Sequence, residues 1–483
     1  MLLSLTRPRR WPLAVALAAL VGVALSFFVL SNGASSASAA GGTFRNPVGT
    51  GPDPFMTYYN GSYYLTMTEG SSIKVHKAAS IDGLLTSPAT TVWTDTDASR
   101  NKDIWAPEFY RINSKWYMYY TADDGTDANH RIYVLESDTD NPAGTYHFKA
   151  KLVPPNHDSY SIDPTVLQVD GKLYLLYAGI NQWQHNGTNI VALANPYTVS
   201  GNSVPINTAG DCADIREAPE TVHGNGKTWM TYSVCDTGTP DYKLYEMSLA
   251  DGADPMVAAN WVQHSGAVFS RNDAAGVFGP GHNAFFKSPD GTEDWIVYGA
   301  KDTSAVTYTN RTSRAQKITW NSDGSPNLGT PLAIGATENL PSGDPGPATG
   351  WINDTNTSSG VGSVAYTGTW NAGTACGVQC FWGDDHSSNQ TGATATFTFT
   401  GTQLALLSVM DTGNGKAAIS VDGGAEKTVD YYPSSGLRSG EDLMFTTAKL
   451  AKGTHTVKVR VTGTKNAASS GTYISIDRAE VWS

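Results

Sequence analysis

The chain has 483 residues, of which only 16% are charged, and its formal net charge is −12. This length allows two or three domains with sizeable cores. Its 49 Gly, 23 Tyr and 13 Trp favour a turn-rich, aromatic, all-β protein. The acidic balance argues against nucleic acid and anionic membranes as partners and fits a neutral ligand.

The N-terminus has the order of a secretory signal peptide. Arginines precede an apolar run over 11–30, and small residues follow at 34–40. We therefore predict that residues 1–40 are removed on secretion. An uncleaved anchor is the alternative, because an apolar run of about 20 residues can span a bilayer. Cleavage would leave 29 basic and 44 acidic residues, and we expect a secreted, extracellular monomer without membrane contact.

Five short aromatic strands recur along the first 300 residues. They begin at residues 61, 114, 171, 226 and 294, so their starts are separated by 53, 57, 55 and 68 residues. A repeat of this size with several strands per unit is typical of a β-propeller. The spacing predicts a five-bladed propeller over residues 41–335.

A proline-containing turn precedes each aromatic strand. The turns hold Asp53-Pro54, Trp105-Ala106-Pro107-Glu108, Asp163-Pro164, Glu217-Ala218-Pro219-Glu220 and Gly279-Pro280-Gly281-His282-Asn283. In a propeller the innermost strands line the channel, so equivalent turns face one another. Glycoside hydrolysis needs two carboxyl groups, and a third would raise the pKa of the acid by repulsion. Taken singly, an Asp-Pro pair is an ordinary turn and Glu217 would pair with Arg216.

The remaining chain divides into two parts. Residues 336–350 are rich in Ser, Gly and Pro and are predicted to be a linker. Residues 351–483 alternate strand-like runs with Gly, Thr and Asn turns, which predicts a β-sandwich or jelly roll. The runs are 393–398, 404–409, 417–421, 455–461 and 472–482.

Four cysteines in an exported chain are expected to pair. Sequence order suggests Cys212 with Cys235 and Cys376 with Cys380, although four cysteines allow three connectivities. The first bridge would enclose the turn that carries Glu217. Their spacing does not resemble a zinc site.

Several segments together resemble glycoside hydrolase family 43, over about residues 44–335. The match lies in Asn46-Pro47-Val48, Gly51-Pro52-Asp53-Pro54-Phe55, Asp103-Ile104-Trp105-Ala106-Pro107-Glu108, Ser161-Ile162-Asp163-Pro164, Glu217-Ala218-Pro219, Gly281-His282-Asn283 and Ala315-Gln316-Lys317-Ile318-Thr319-Trp320.

The resemblance implies a five-bladed propeller of inverting enzymes that act on arabinose- and xylose-containing polysaccharides. It implies Asp53 as general base, Glu217 as general acid and Asp163 as pKa modulator and orienting group. Glu220 is the alternative acid. The family's glutamate is usually followed by Gly-Pro, and Ala218 departs from that pattern.

The resemblance also implies three substrate-binding residues. Arg311, with Arg314 as the alternative, matches the arginine beside the sugar, and Trp105 matches a wall of the pocket. His282 matches a channel histidine that is linked to a bound ion, commonly calcium, directly or through water. A buried, hydrogen-bonded histidine is the other interpretation. No cofactor is required for the reaction.

The nearest match within the family is to exo-acting α-L-arabinofuranosidases of arabinan, arabino-oligosaccharides or arabinoxylan. A β-xylosidase and an endo-arabinanase are the alternatives, and a non-catalytic sugar-binding propeller is a third of a different class. The C-terminal part resembles galactose-binding-like carbohydrate-binding modules through 474–481. Its Trp370, Trp382 and Tyr431 are candidates for stacking on sugar rings or for the core.

Overall fold

Strands and short turns make up the part of the chain that the structure describes. The computed structural model describes residues 42–483, so the predicted signal peptide lies outside the described residues. Within 42–483 the helices are short 3₁₀ segments, and none is long and apolar enough to cross a membrane. The all-β prediction is confirmed for these residues. The 3₁₀ segments are Ile81–Thr86, Asp127–Asn129, Ala258–Asn260, Asp273–Ala275 and Phe381–Gly383.

After β1 (Thr43–Arg45), five antiparallel sheets follow, each with its strands in chain order. The first holds β2 (Phe55–Tyr59), β3 (Ser62–Thr66), β4 (Ile73–Ala78) and β5 (Ala89–Trp93). The second holds β6 (Lys102–Ile112), β7 (Lys115–Asp123), β8 (Arg131–Ser137) and β9 (Tyr146–Leu152). The third holds β10 (Ser161–Val169), β11 (Lys172–Gly179), β12 (Gly187–Asn195) and β13 (Thr198–Pro205). The fourth holds β14 (Arg216–Gly224), β15 (Lys227–Val234), β16 (Lys243–Ala250) and β17 (Trp261–Gln263). The fifth holds β18 (Phe278–Lys287), β19 (Asp294–Lys301) and β20 (Thr312–Lys317).

Two-residue turns set the register between the first and second strands of four sheets. Both residues of each turn have positive φ, as type I′ hairpins require. The second strands are the aromatic segments of the repeat, and they are buried along almost their whole length in β7 and β15. This explains their continuous apolar runs. The turns are Asn60-Gly61, Asn113-Ser114, Asp170-Gly171 and Asn225-Gly226.

The first strands of the five sheets contact one another in cyclic order. β2 contacts β6, β6 contacts β10, β10 contacts β14, β14 contacts β18, and β18 contacts β2. A short hairpin of β21 (Thr319–Trp320) and β22 (Pro326–Asn327) follows the fifth sheet. Next, β23 (Thr337–Asn339) lies in the stretch predicted to be a linker and pairs with β1.

Two larger sheets share one apolar core in residues 350–482. Their strands are β24 (Gly350–Asn353), β25 (Ser363–Thr367), β26 (Asn371–Gly373), β27 (Asp385–Ser388), β28 (Thr394–Gly401), β29 (Gln403–Met410), β30 (Lys416–Val421), β31 (Lys427–Asp430), β32 (Ser439–Thr446), β33 (Gly453–Val461), β34 (Ile474–Ile476) and β35 (Arg478–Trp482). One sheet has the order β24-β35-β29-β32 and the other β25-β28-β33-β30-β31, while β26, β27 and β34 form a third. Core residues come from both larger sheets, and in β28 buried positions alternate with less buried ones.

The last predicted run, 472–482, is two strands in different sheets. It is interrupted at Asp477, whose backbone carbonyl accepts from the Asp354 N–H and whose carboxylate accepts from the Phe381 N–H. These contacts divert the chain between β34 and β35. Both predicted disulfides, Cys212–Cys235 and Cys376–Cys380, are confirmed.

Candidate active site

A residue with positive φ lies within or just before the first strand of every sheet. Four of these five points shift the pairing register with the second strand. Such β-bulges redirect side chains away from the regular alternation. Because the first strands contact one another in a ring, the five points lie on that ring. The residues are Asp53 (φ 55°), Ala106 (φ 42°), Asp163 (φ 53°), Ala218 (φ 50°) and His282 (φ 45°).

The three predicted catalytic carboxylates do not occupy one identical position. Asp53 and Asp163 are themselves the positive-φ residues, whereas Glu217 directly precedes one, Ala218. Glu217 still lies in the same site, because its charge acts on the pKa of Asp163. The bulge also brings the backbone across, and the Ala218 N–H donates to Asp163 Oδ2 at 3.0 Å.

Asp53 is held as a carboxylate. Arg311 Nη1 donates to Asp53 Oδ1 at 2.6 Å, and His282 Nδ1 lies 3.3 Å from the same oxygen. Burial raises the pKa of Asp53, but Arg311 first and then His282 outweigh it, so the pKa lies below its usual value. Arg311 is itself oriented by Thr237 Oγ1 at 3.1 Å. A base in this setting is ionised at neutral pH.

Glu217 has the opposite electrostatic environment. Burial raises its pKa to about 7, and the charge of Asp53 adds to the effect. The Tyr242 hydroxyl donates to Oε1 at 2.9 Å, and Asn186 Nδ2 lies 3.3 Å from Oε2. Glu217 therefore carries a proton for a substantial part of the time at neutral pH, as a general acid must.

Asp163 is the most strongly perturbed member of the group. Burial, then repulsion from Glu217 and from Asp53, raises its pKa well above the usual value. The repulsion shows that all three carboxyl groups are close enough to influence one another. Asp163 and Glu217 thus titrate as a linked pair, which holds protons to higher pH than either group would in water.

Two of the three predicted substrate-binding residues, Arg311 and His282, lie beside Asp53. Trp105 immediately precedes the positive-φ residue Ala106, just as Glu217 precedes Ala218 in the fourth sheet. The Trp105 ring stacks on the His130 ring with centroids 4.2 Å apart. The N–H of His282 donates to Ser233 Oγ at 2.9 Å. Burial lowers the pKa of His282, although the neighbouring Asp53 charge acts in the opposite direction. The alternative Arg314 is fully buried and donates to the Leu332 carbonyl.

Neither the alternative acid nor a calcium ligand set joins the site. Glu220 accepts from the Thr221 N–H at 2.8 Å, and none of the three catalytic candidates affects its pKa. His282 has the Asp53 carboxylate beside it, already bound by Arg311, whereas Ca²⁺ takes about six to eight oxygen ligands. The residues around His282 therefore fall short of a direct calcium ligand set, and a calcium ion linked to His282 through water stays a prediction. In residues 42–483, one group alone brings three metal-binding side chains together, and it contains a disulfide: Asp211, Cys212 and Cys235.

Several contributors to the site escaped the sequence analysis. Tyr242 and Asn186 bind Glu217 from the residue just before the third strand of their sheets, β16 and β12, a position that no sequence motif marks. Thr237 likewise lies in a connecting segment. His130 supports Trp105 from the end of a 3₁₀ segment. Glu108 is different, because it follows Pro107 as Glu220 follows Pro219 and an alignment of the repeats singles it out.

A protonated carboxyl group beside an ionised one is the pairing that glycoside hydrolysis uses. The family model for glycosyl hydrolases family 43 matches residues 44–326. The chain belongs to this family.

Named relatives agree with the family. The chain is 37% identical over 316 residues to an extracellular exo-α-(1→5)-L-arabinofuranosidase of Streptomyces avermitilis, covering 61% of this chain and 65% of the relative. It is 31% identical over 303 residues to α-L-arabinofuranosidase 43 of Humicola insolens, covering 59% and 63%. The crystal structure of an α-L-arabinofuranosidase from Lactobacillus brevis aligns with a TM-score of 0.58 and 27% identity, covering 61% of this chain and 98% of that one. The matched part spans just under two thirds of the two curated relatives.

Proposed function

We propose that the chain is a secreted, inverting glycoside hydrolase that releases α-L-arabinofuranose from arabinan, arabino-oligosaccharides or arabinoxylan. One observation carries the proposal. Within one buried group, Arg311 and His282 hold the pKa of Asp53 down, while burial raises the pKa of Glu217 to about 7. The site therefore has a base and an acid ready at the same pH.

In the proposed mechanism the protonated Glu217 gives its proton to the leaving glycosidic oxygen. Asp53 takes a proton from a water molecule, which attacks the anomeric carbon from the opposite face. Inversion requires about 6.5–9.5 Å between the two carboxyl groups, enough for that water. Asp163 keeps the pKa of the pair high and, through the Ala218 N–H, holds the bulge beside Glu217. No step uses a metal ion or cofactor.

We interpret the five sheets of residues 41–335 as the blades of a five-bladed propeller. The cyclic contacts of their first strands support this, and so does the positive-φ residue that lies within or just before each of those strands. The site would then lie on the propeller axis, where one side chain from each blade can reach a single sugar ring. In this arrangement Trp105 and Arg311 would bind the arabinose.

The arabinose specificity rests on the named relatives, of which the Streptomyces avermitilis protein is named an exo-α-(1→5)-L-arabinofuranosidase. That protein is also named extracellular, which agrees with the predicted signal peptide. We propose that the enzyme is secreted and acts as a monomer.

We further propose that residues 351–483, joined through the segment 336–350, form a β-sandwich that binds carbohydrate. Of the three candidate rings, Tyr431 is fully buried in the core of the C-terminal sheets, and Trp370 packs against that core. Trp382 is 70% exposed and stacks on Phe381 with ring centroids 5.1 Å apart. Trp382 is therefore the ring best placed to meet a sugar.

The test is to follow the product anomer by NMR during hydrolysis of arabino-oligosaccharides and xylo-oligosaccharides. We expect arabinose to be released one unit at a time, first as the β anomer. Release of xylose would favour a β-xylosidase, and internal cleavage an endo-arabinanase. First release of the α anomer would contradict inversion, and no hydrolysis on either panel would favour a non-catalytic sugar-binding protein.

A further inference from the structure

A second polar layer lies next to the catalytic carboxylates. Each sheet contributes one residue from its first strand. This residue is the first one after the positive-φ residue that pairs regularly with the second strand. In the first sheet this residue is apolar, and in the other four it is polar. Every one of them is buried. The five are Phe55, Glu108, Thr165, Glu220 and Asn283.

Glu108 is the most fully bonded acid in this layer. The Tyr110 hydroxyl donates to Glu108 Oε2 at 2.5 Å. Thr165 Oγ1 lies 3.0 Å from both carboxyl oxygens of Glu108 and 2.6 Å from the carbonyl oxygen of Pro219. Glu108 is only 6% exposed, so water cannot replace these partners.

The number of available protons decides which way these hydrogen bonds run. A carbonyl oxygen can only accept, so Thr165 gives its single hydroxyl proton to Pro219. Thr165 Oγ1 can then bond to Glu108 only as an acceptor, and this requires a proton on Glu108. Tyr110 supplies the donor for the other oxygen. The network is fully satisfied only when Glu108 is a neutral carboxylic acid.

The groups that face Glu108 favour the same state. Burial and then the neighbouring Glu220 raise the pKa of Glu108 well above its usual value, and Asp163 adds to the effect. The hydroxyl of Tyr110 donates to it and acts in the opposite direction. No cation is among the largest influences on its pKa.

The network ends at the catalytic acid. Pro219 follows Ala218, and the Ala218 N–H donates to Asp163 while the Pro219 carbonyl accepts from Thr165. These two bonds join the bulge of β14 to the bulge of β10. One is made by the N–H of Ala218, the residue after Glu217, and the other by the carbonyl of Pro219. If the Thr165 hydroxyl turned away, the Pro219 carbonyl would be free to rotate and would carry Glu217 with it.

We propose that Glu108 is a positioning residue that works as a neutral carboxylic acid. It donates its proton to Thr165 and so fixes the bulge that aims Glu217 at the leaving oxygen. The proposal rests on the role of Glu217 proposed above. It adds a fourth carboxyl group to the three of the proposed mechanism, one that acts without touching the substrate.

The test compares substrates that need the acid with substrates that do not. In Glu108→Ala, we expect kcat on arabinobiose to fall by about 100-fold, the scale of general acid catalysis. On a dinitrophenyl α-L-arabinofuranoside, whose leaving group needs no proton, we expect a loss below about fivefold, with KM nearly unchanged on both substrates. Glu108→Gln can donate through Nε2 and accept through Oε1, so it should keep most of the activity on both.

Glu246→Ala is the matched control, because Glu246 is a buried glutamate whose pKa burial raises to about 7 and which lies in β16, outside these contacts. It should show no difference between the two substrates. If Glu108→Ala does not fold, Thr165→Val should show the same dependence on leaving group, and Thr165→Ser should restore activity.

Two outcomes would overturn the proposal. An equal loss on both substrates would show that Glu108 does not act through the acid. A Glu108→Gln variant as impaired as Glu108→Ala would show that the neutral acid is not the working form. If the unmodified protein hydrolyses neither substrate, the proposed function itself fails, which is a distinguishable result.

Discussion

Glu217 combines a raised pKa with two hydrogen-bond donors that are neutral. Tyr242 and Asn186 lower the pKa of Glu217, but burial and the Asp53 charge outweigh them, so the pKa still reaches about 7. Replacing Glu217 by Gln keeps the shape but leaves no acidic proton. We expect turnover of arabino-oligosaccharides to fall by about 10²–10⁴-fold, and that of a dinitrophenyl arabinofuranoside far less. Steady-state kinetics on both substrates measure this, with thermal unfolding as the control for folding. Unchanged oligosaccharide turnover would remove Glu217 from the acid role.

Arg311 influences the acidic limb of the pH profile, because it lowers the pKa of Asp53 and the base Asp53 must be ionised. In Arg311→Met that pKa rises, so activity is lost at higher pH as the medium is acidified. The basic limb, set by Glu217 with its pKa of about 7, should also move to higher pH, because the Arg311 charge lowers that pKa too.

The measurement for Arg311→Met is the pH dependence of kcat/KM, normalised to each maximum. Arg271→Met removes a partly exposed arginine that pairs with Asp241 and Asp273 and should leave both limbs in place. An acidic limb that does not move, or that moves to lower pH, would contradict the assignment of Asp53.

At the level of elements, the aromatic second strands and the tight turns were the features that the sequence made visible. Pairs such as Asn225-Gly226 favour type I′ turns because both residues accept positive φ, and a buried aromatic strand follows each time. The bulges were harder to foresee. Ala218 adopts a φ of 50°, which alanine does not favour, so the one-residue offset between Glu217 and Asp163 is imposed by packing.

Side-chain networks between sheets were the part of the site that could not be predicted. Thr165 meets Glu108 across 57 positions of sequence, and each residue alone is ordinary in its strand. The family resemblance supplied Arg311 and His282, which the structure does bring to Asp53. It supplied no neighbours for Glu217, since Tyr242 and Asn186 precede the third strands β16 and β12 and belong to none of the motifs that carry the resemblance.

The turn at Gly226 tests the hairpin geometry alone. Gly226 has a φ of 76°, and a Cβ built there meets nothing within 4 Å. In Gly226→Ala the added strain of a left-handed residue should destabilise the protein by about 1–2 kcal/mol. Chemical denaturation measures this loss, and an unchanged free energy of unfolding would show that the turn can relax.

On the scale of the whole molecule, the first sheet is bound directly to the C-terminal sheets. Asn60 Nδ2 donates to Asp442 Oδ1 at 2.8 Å, and Lys77 pairs with Glu441 at 3.0 Å. Arg478 binds the same Glu441 at 2.6 Å. The burial and charge pairing of these groups indicate a fixed interface between the first sheet and the C-terminal sheets.

Gly61 measures the strength of this interface. It holds the same turn position as Gly226, with a φ of 82°, but a Cβ there would lie 2.5 Å from Leu443. We expect Gly61→Ala to lose more stability than Gly226→Ala, because overpacking adds about 1–3 kcal/mol to the strain. Equal losses in parallel denaturation curves would show that the interface opens freely.

Trp382 tests whether the C-terminal part binds the polysaccharide. Its ring is 70% exposed on a backbone with a φ of 59°, and the Cys376–Cys380 bridge directly precedes it. In Trp382→Ala we expect affinity for insoluble arabinoxylan to fall by about tenfold, or ~1.4 kcal/mol, through the lost aromatic face. Hydrolysis of a small aryl arabinofuranoside should not change, because that substrate needs only the site around Asp53 and Glu217. Depletion assays measure the binding. The matched control is Val361→Ala, because Val361 is an apolar residue of the same region that is 57% exposed.

If the two variants bind alike, the sugar contacts another surface. If Trp382→Ala also loses small-substrate turnover, the ring serves the catalytic site instead.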